Sequence, residues 1–440
     1  MDTIEQMIAL PPEGLVALLR EKGIRRFWFV WHPGSRMVNA SHPVLQPLAD
    51  WLRADKRDFL EHEGLFFRVT REHGVLQGAF IHRTCRGQAA GGVRFWPYAT
   101  AGDYLRDGLR LAAGMTRKNA LAGLWWGGGK GVMARREGLD HRDPGVRRAL
   151  FREYGELMTS LRGCYVSAED VGTNVEDMAS IHATTRFTTC IPPALGGSGN
   201  PSIPTARGVI CGMEAALEFL AAGDLTGKTV AVQGMGNVGG PLIGFLLEKG
   251  ASRIIAHDIN AETAARVEKQ FGGPRLDLSV VQPGDMSILA ADCDLLAPCA
   301  TGAILNETTI PRIRARVVCG AANNQLEDLE RDDQLLQQRG VTYVPDFLTN
   351  RMGIVNCADE GSGSIPEDPR IEQHLSRDWE YSIHRMTLKV LEGAKEKERP
   401  PAEVATAMAD ELSLEEHPIF GHRGRKIIDA LVASGWHELE

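Results

Sequence analysis

The stretch "VQGMGNVGG", residues 232–240, limits the fold more than any other part of this 440-residue chain. Gly234, Gly236 and Gly239 stand as Gly-x-Gly-x-x-Gly between an apolar run, "TVAVQ" (229–233), and a helix-patterned run, "GPLIGFLLEKG", that ends at Gly250. A strand that turns on glycines into a helix lets the backbone of Gly234, Met235, Gly236, Asn237, Val238 and Gly239 approach a pyrophosphate at the helix N-terminus. Asp258 ends the next apolar run, "RIIAHD" (253–258), where a carboxylate can accept from ribose hydroxyls. A 2′-phosphate there would meet like charge, so the pattern favours NAD over NADP. "CDLLAPC" (293–299), "RVVCGAAN" (316–323) and "VTYVPD" (341–346) continue the alternation of buried strand and helix. They predict a Rossmann-type doubly wound α/β domain over 198–360. The competing reading is a glycine turn that serves packing only.

The first half, residues 1–197, is also mixed α/β. "DYLRDGLRLAAGMTRKNALAG" (103–123) carries Leu105, Leu109 and Ala112 at helical spacing, with Leu111, Met115 and Lys118 on a neighbouring stripe. "CYVS" (164–167) predicts a short strand, and Thr173 and Glu176 have capping-box spacing for a following helix. In the tail, 361–440, Ile371, Leu375, Trp379, Ile383, Met386 and Val390 predict one helix, which "ERPPAE" (398–403) ends before another begins near Pro401. "EGSGSIPEDP" (360–369) marks the loop into that tail. Two α/β domains with a helical tail returning to the first are therefore expected, flanking a cleft.

Composition removes several classes of function. Net charge is −8 and pI about 5.9, so no field draws the chain to nucleic acid or anionic lipid. No apolar run is long enough to cross a membrane, and the N-terminus lacks a signal-peptide pattern. The 8 cysteines form no Cys-x-x-Cys pair and suit a reduced, cytoplasmic protein. The 13 histidines show no metal-ligand spacing, so no metal is expected.

A second glycine-rich stretch, "WWGGGKGVM" (125–133), fails as a phosphate loop. Leu124 stands where that motif needs its first glycine, and Gly131 where it needs a hydroxyl. "GKT" (227–229) fails too, since it precedes a strand and has Ala222 for the required glycine. The glycines at 127–129 read as a loop permitting close approach around Lys130. Lys118 continues an apolar helix stripe and should point inward; a snorkelling surface lysine is the alternative. Asp170, in "SAEDVGT", follows a strand's C-terminal end, where α/β proteins bind ligands, though a solvated acid fits as well. Singly, none of the three compels a catalytic reading.

Taken together, "GMTRKNALAGLWWGGGKGVM", "SAEDVGTNVEDM", "GNPSIPTARGV", "VAVQGMGNVG", "APCATG", "GAANNQL" and "GIVNCADE" resemble, in this order, the glutamate, leucine, phenylalanine and valine dehydrogenases. The likeness runs over roughly residues 60–440 and is strongest to the leucine dehydrogenase branch. It implies that Lys118 binds the substrate α-carboxylate, that Lys130 is the catalytic lysine and that Asp170 exchanges protons with the substrate amine. Burial and a neighbouring ammonium should lower the pKa of Lys130. The implied reaction is oxidative deamination of an L-amino acid to a 2-oxo acid and ammonia, with NAD as cofactor. Thr205 and Asn324 match positions near the nicotinamide and substrate.

The resemblance also bears on specificity. Glutamate-specific relatives hold the side-chain carboxylate with a lysine before a Gly-Gly pair. Here Ala90 precedes Gly91 and Gly92, which implies an apolar side chain and room for a large one. Ile354 and Cys357 match pocket-lining positions. A glutamate dehydrogenase with an atypical pocket, or a lapsed nucleotide-binding regulatory protein, are the rival readings. Two departures stand out. Arg351 and Met352 replace a small residue and a glycine near the substrate, and Arg351 is the cation that could restore glutamate binding if it folds inward. The first 55 or so residues, with the aromatic "RRFWFVWHPG", have no counterpart in short leucine dehydrogenases; burial in a contact between subunits of a homo-oligomer is the expectation.

Overall fold

The computed structural model describes residues 3–363, 365 and 368–439. Strands β1 (Arg26–His32), β2 (Met37–Ala40), β3 (Gly64–Val69), β4 (Leu76–Arg83), β5 (Ala89–Trp96), β6 (Gly127–Ala134) and β7 (Tyr165–Glu169) build a 7-stranded sheet in the order β2-β1-β3-β4-β6-β5-β7. Neighbours are antiparallel from β2 to β6, and β5 runs parallel to both β6 and β7.

The "RFWFVWH" strand shows why the N-terminal segment belongs to this sheet. Side chains alternate across a strand, and both faces here are covered. Phe27, Phe29 and Trp31 enter one apolar cluster, while Trp28 and Val30 enter the other. Phe27 stacks on Phe67 of β3 with ring centroids 4.7 Å apart. Burying each such side chain contributes about 1.5–3 kcal/mol, so β1 is held by its own chain. The expectation of a subunit contact is corrected accordingly: these rings are already buried within one copy.

The second sheet has 6 strands: β8 (Thr229–Gln233), β9 (Arg253–Asp258), β10 (Leu276–Val280), β11 (Leu295–Pro298), β12 (Val317–Val318) and β13 (Thr342–Tyr343). All neighbours are parallel, in the order β10-β9-β8-β11-β12-β13. This is the doubly wound arrangement, with the chain reversing direction between β8 and β11, the place where such sheets bind ligands. Strand β10 was not anticipated, because four of its five side chains are not buried and "LDLSV" lacks an apolar run. The last two strands are much shorter than their apolar runs.

Three local expectations are corrected. The glycine-rich stretch is not a loop: residues 127–134 form strand β6, paired with β4 and β5. The helix at Val175–His182 is capped one residue later than spacing implied, Asn174 accepting from the Asp177 N–H while the Asp177 side chain accepts from the Asn174 N–H. The stripe from Ile371 to Val390 is interrupted, a short helix Pro369–Gln373 being followed by turns before the helix Ile383–Lys397. The proposed loop 360–369 starts later, since the helix Met352–Ser362 runs into it; residues 364, 366 and 367 lie outside the described residues.

The tail joins both sheets. Leu391 of the helix Ile383–Lys397 packs into the core of the second sheet, whereas Ile428, Leu431 and Trp436 enter a cluster on the first. Among the described residues no helix is long and apolar enough to cross a membrane.

Candidate active site

Lys130 sits in the middle of β6, 4% exposed, with its ammonium 3.0 Å from Asp170 Oδ2. The strand places it there because glycines flank it. A Cβ at Gly129 would come within 2.8 Å of the Tyr165 ring, and one at Gly131 within 2.3 Å of the Tyr154 hydroxyl oxygen. Glycine in a strand marks such close approach. Asp170 follows β7 directly, and its N–H donates to Thr173 Oγ1 at 2.9 Å. Gly92 makes room for it: a Cβ there would lie 2.7 Å from Asp170 Cβ.

A third charge completes the cluster. Arg94 Nε donates to the same Asp170 Oδ2 at 3.1 Å, while its Nη1 reaches both carboxylate oxygens of Asp107 at 3.1 Å. Arg94 was missed in the sequence, although Ala90, Gly92 and Arg94 share one face of β5 by the two-residue period of strands. Burial alone would raise the pKa of Asp170, but Lys130 and Arg94 outweigh it and hold the carboxyl at about 2. Burial lowers the pKa of Lys130; Asp170 opposes this and the Arg94 cation adds to it. Arg94 is the like charge that acts most on Lys130, and the Lys118 ammonium also lies near enough for the two lysines to repel.

Lys118 lies near the C-terminal end of the helix Ala101–Leu121 and faces the second sheet. Its ammonium donates to Asn323 Oδ1 at 3.2 Å, across the cleft. Burial pulls its pKa down to about 8, against the attraction of Asp346 and with the repulsion of Lys130. Asp346 also accepts from the Asn324 N–H at 2.8 Å, which fixes Asn324 in its left-handed conformation. Asn323 and Asp346 were both missed. Asp346 lies just past β13, at a strand's C-terminal end, which was a usable signal; Asn323 carried none. Thr205, near the start of the helix Ser202–Phe219, is 8% exposed and donates to Pro201 O at 2.9 Å.

Ala90, Ile354 and Cys357 fall in one apolar cluster that also includes Cys190, with Met115 and Trp126 packed against it. Gly91 faces β6 so closely that a Cβ would come within 2.1 Å of Gly129 O. Arg351 does fold inward, fully buried, but away from this cluster. It donates to Leu121 O at 2.5 Å and to Tyr381 O, capping the end of the Lys118 helix. Burial lowers its pKa to about 9.

The turn after β8 fits a dinucleotide by its glycines. Gly234 adopts φ +88 and Gly239 packs so tightly that a Cβ would lie 1.9 Å from Gly234 O, whereas Gly236 has nothing within 4 Å. A tight turn, a close helix–strand contact and one open backbone are what a pyrophosphate site requires. Asn237 is exposed and Val238 leads into the helix Gly239–Glu248. Asp258 accepts from the N–H of Met235 at 2.7 Å and of Asn260 at 2.8 Å, which holds its carboxylate beside the turn.

Residues 65–187 match the family described as Glu/Leu/Phe/Val dehydrogenase, dimerisation domain, and residues 196–415 match Glutamate/Leucine/Phenylalanine/Valine dehydrogenase. The chain belongs to this dehydrogenase family. It is 42% identical to a leucine dehydrogenase of Thermoactinomyces intermedius over 81% of this chain and 92% of that one. It is 37% identical to a valine dehydrogenase of Streptomyces coelicolor over 81% and 93%. The crystal structure of L-tryptophan dehydrogenase from Nostoc punctiforme matches with a TM-score of 0.63 at 32% identity, covering 80% of this chain and 96% of that one. The protein is therefore an amino-acid dehydrogenase of the leucine dehydrogenase branch, using a nicotinamide cofactor.

Proposed function

We propose that this dehydrogenase oxidatively deaminates an apolar L-amino acid with NAD, giving the 2-oxo acid and ammonia, and runs reversibly. The observation that carries the reading is the apolar cluster that takes in Ala90, Ile354 and Cys357, with Gly92, on the same face of β5 as Ala90, packed against Asp170. A substrate carboxylate entering such a cluster would lose its water and gain no cation, whereas each buried CH₂ contributes about 0.8 kcal/mol. Arg351 offers no rescue for glutamate, because its guanidinium is committed to two backbone carbonyls. The small Ala90 side chain, together with a structural neighbour named as a tryptophan dehydrogenase, supports room for large apolar groups.

Each residue's part follows from its charge. Lys118 holds the α-carboxylate as an ammonium, and Asn323 orients it. Asp170, held ionised, receives the substrate ammonium and takes one of its protons, since only the neutral amine has the lone pair that forms the iminium as the α-hydrogen leaves as hydride. That added positive charge lowers Lys130 further and favours its neutral form, which takes a proton from the water attacking the iminium carbon. Arg94 fixes Asp170 in place. The nicotinamide, when bound, accepts the α-hydrogen as hydride, and Gly234, Met235, Gly236, Asn237, Val238 and Gly239 present the turn for its pyrophosphate. Thr205 and Asn324 would help hold the nicotinamide. Asp258 supports NAD over NADP by repelling a 2′-phosphate.

Residues 1–197 would then form the substrate unit and 198–360 the cofactor unit, with 361–440 packing on both rather than returning to the first alone. We further propose a homo-oligomer, in keeping with the dimerisation description of residues 65–187, and a reducing, cytoplasmic setting, in keeping with cysteines that are all free. A screen of L-amino acids with NAD and with NADP, read as kcat/KM, tests this reading. Leucine, valine, phenylalanine or tryptophan should exceed glutamate by orders of magnitude, with NAD the better cofactor. Efficient glutamate turnover, or equal use of NADP, would overturn the substrate or the cofactor assignment respectively.

A further inference from the structure

We propose that Glu63, Cys85 and His422 form a binding site for a divalent transition-metal ion of borderline softness, with Zn²⁺ the best fit. These side chains have no part in the reaction, and their donor atoms all lie within 4.8 Å of one another. His422 Nε2 is 3.0 Å from Glu63 Oε1 and 3.8 Å from Cys85 Sγ. A tetrahedral ion with ligand bonds of about 2.0–2.3 Å separates its donors by about 3.3–3.7 Å. The Glu63–His422 pair would open by a few tenths of an ångström to admit such an ion, the Cys85–His422 separation already matches it, and all three donors lie within 4.8 Å of one another. One thiolate, one imidazole and one carboxylate is the mixed set that Zn²⁺ accepts, while hard ions such as Mg²⁺ and Ca²⁺ prefer oxygen alone.

The surroundings hold these donors in place. Glu63 directly precedes β3 and Cys85 closely follows β4, adjacent antiparallel strands, so two ligands come from one rigid sheet end. Thr84 orients the carboxylate, its N–H donating to Glu63 Oε1 at 2.9 Å and its hydroxyl to Oε2. The third ligand arrives on the final helix, Arg423–Ala433, for which His422 is the N-cap residue. Gly424 lets that helix end press onto the sheet, since a Cβ there would lie 2.4 Å from Thr84 Cβ. The Cys85 carbonyl is pinned by the His417 N–H at 2.9 Å. Outer contacts of this kind set ligand orientation in metal sites. Cys85 and His422 are only partly buried, which leaves a path for the ion and a fourth position for water.

Sequence spacing could not reveal this site, because Cys85 and His422 are 337 positions apart. The expectation of no metal rested on short-range motifs alone. A bound ion would fasten the last helix to the first sheet and so couple metal binding to stability. The competing reading is an ion pair between His422 and Glu63 with the thiol as a bystander.

The test uses the full, untagged chain, stripped with a chelator and titrated with Zn²⁺ in competition with a chromophoric chelator. One Zn²⁺ should bind per chain and raise Tm. Co²⁺ in its place should show a thiolate charge-transfer band. Cys85→Ser, which keeps size and fold, should abolish that band and weaken Zn²⁺ binding at least about 100-fold, beyond the 10–100-fold typical of outer-contact changes. His422→Ala should do likewise. Absence of stoichiometric binding, which is the ion-pair-only outcome, overturns the proposal. So does unchanged affinity in Cys85→Ser, which would put the ion elsewhere.

Discussion

In β6 a Cβ added at Gly127 or Gly128 would lie 2.0 Å from Arg83 O or from Thr116 Oγ1, whereas at Gly236 in the turn after β8 it would meet nothing within 4 Å. Both stretches are glycine-rich and both face the cleft, yet the space saved by glycine goes to different occupants. Around Lys130 the protein itself fills it: the helix Ala101–Leu121 and the rings of Tyr154 and Tyr165 close in, which buries the lysine and lowers its pKa. At Gly236 the space stays open, as the proposed pyrophosphate site needs. One glycine set tunes a side chain, and the other presents backbone.

The comparison is most easily broken at Gly128. Gly128→Ala would push a methyl into the backbone of Thr116, 2.1 Å from its nitrogen. The helix carrying Lys118 would have to shift, and a loss of about 3 kcal/mol or more in stability is expected, at the top of the range for overpacking. Urea denaturation midpoints check this; wild-type stability would mean the helix is not seated as described. Gly236→Ala should do the reverse, leaving the denaturation midpoint unchanged while NAD affinity falls at least about tenfold, roughly 1.4 kcal/mol. Isothermal titration with NAD reads the outcome, and undiminished affinity would remove the turn from the cofactor site.

Two smaller effects sharpen the electrostatic half of the contrast. In the proposed role Lys118 would bind a carboxylate only while protonated, and burial pulls its pKa down to about 8. Below that value KM for the amino acid should be flat in pH; above it Lys118 loses its charge and KM should climb, about tenfold by one unit beyond. In Lys118→Arg the guanidinium stays charged, so the ratio of KM at high and neutral pH should fall towards unity. An alkaline limb of the same steepness in the variant would place that titration on another group. Smallest of all is Arg351→Met. Because the guanidinium serves Leu121 and Tyr381 carbonyls, the leucine-to-glutamate ratio in kcat/KM should change by no more than about twofold, as for independent sites. A collapse of that ratio would show Arg351 reaching substrate.

What could be read in the sequence followed the range of the forces involved. The parallel strands of the second sheet were legible because β8, β9 and β11 lie in apolar runs that alternate with helix-patterned sequence. Strand β10 was passed over because only Leu276 of its five residues is buried and "LDLSV" offers a short alternation of Leu276, Leu278 and Val280 rather than an apolar run. The glycines before Lys130 were read as a loop, since local propensity counts glycine against a strand. Tertiary contacts with Thr116 and Tyr165 reverse that preference. In the site, Lys130 and Asp170 were found through motifs, but Arg94, Asn323 and Asp346 act through the fold. The Lys118–Asn323 contact joins residues 205 positions apart, beyond any spacing rule.

The central claim is that the first glycine set holds Lys130 for proton transfer and leaves the dinucleotide to the second. Lys130→Ala, assayed for kcat with leucine and, separately, for NAD binding, tests both halves in one protein. The account predicts a fall in kcat of about 10²–10⁴-fold, the usual contribution of a general base, with NAD affinity unchanged. A variant keeping more than half of wild-type turnover, or losing NAD affinity as steeply as turnover, would contradict it.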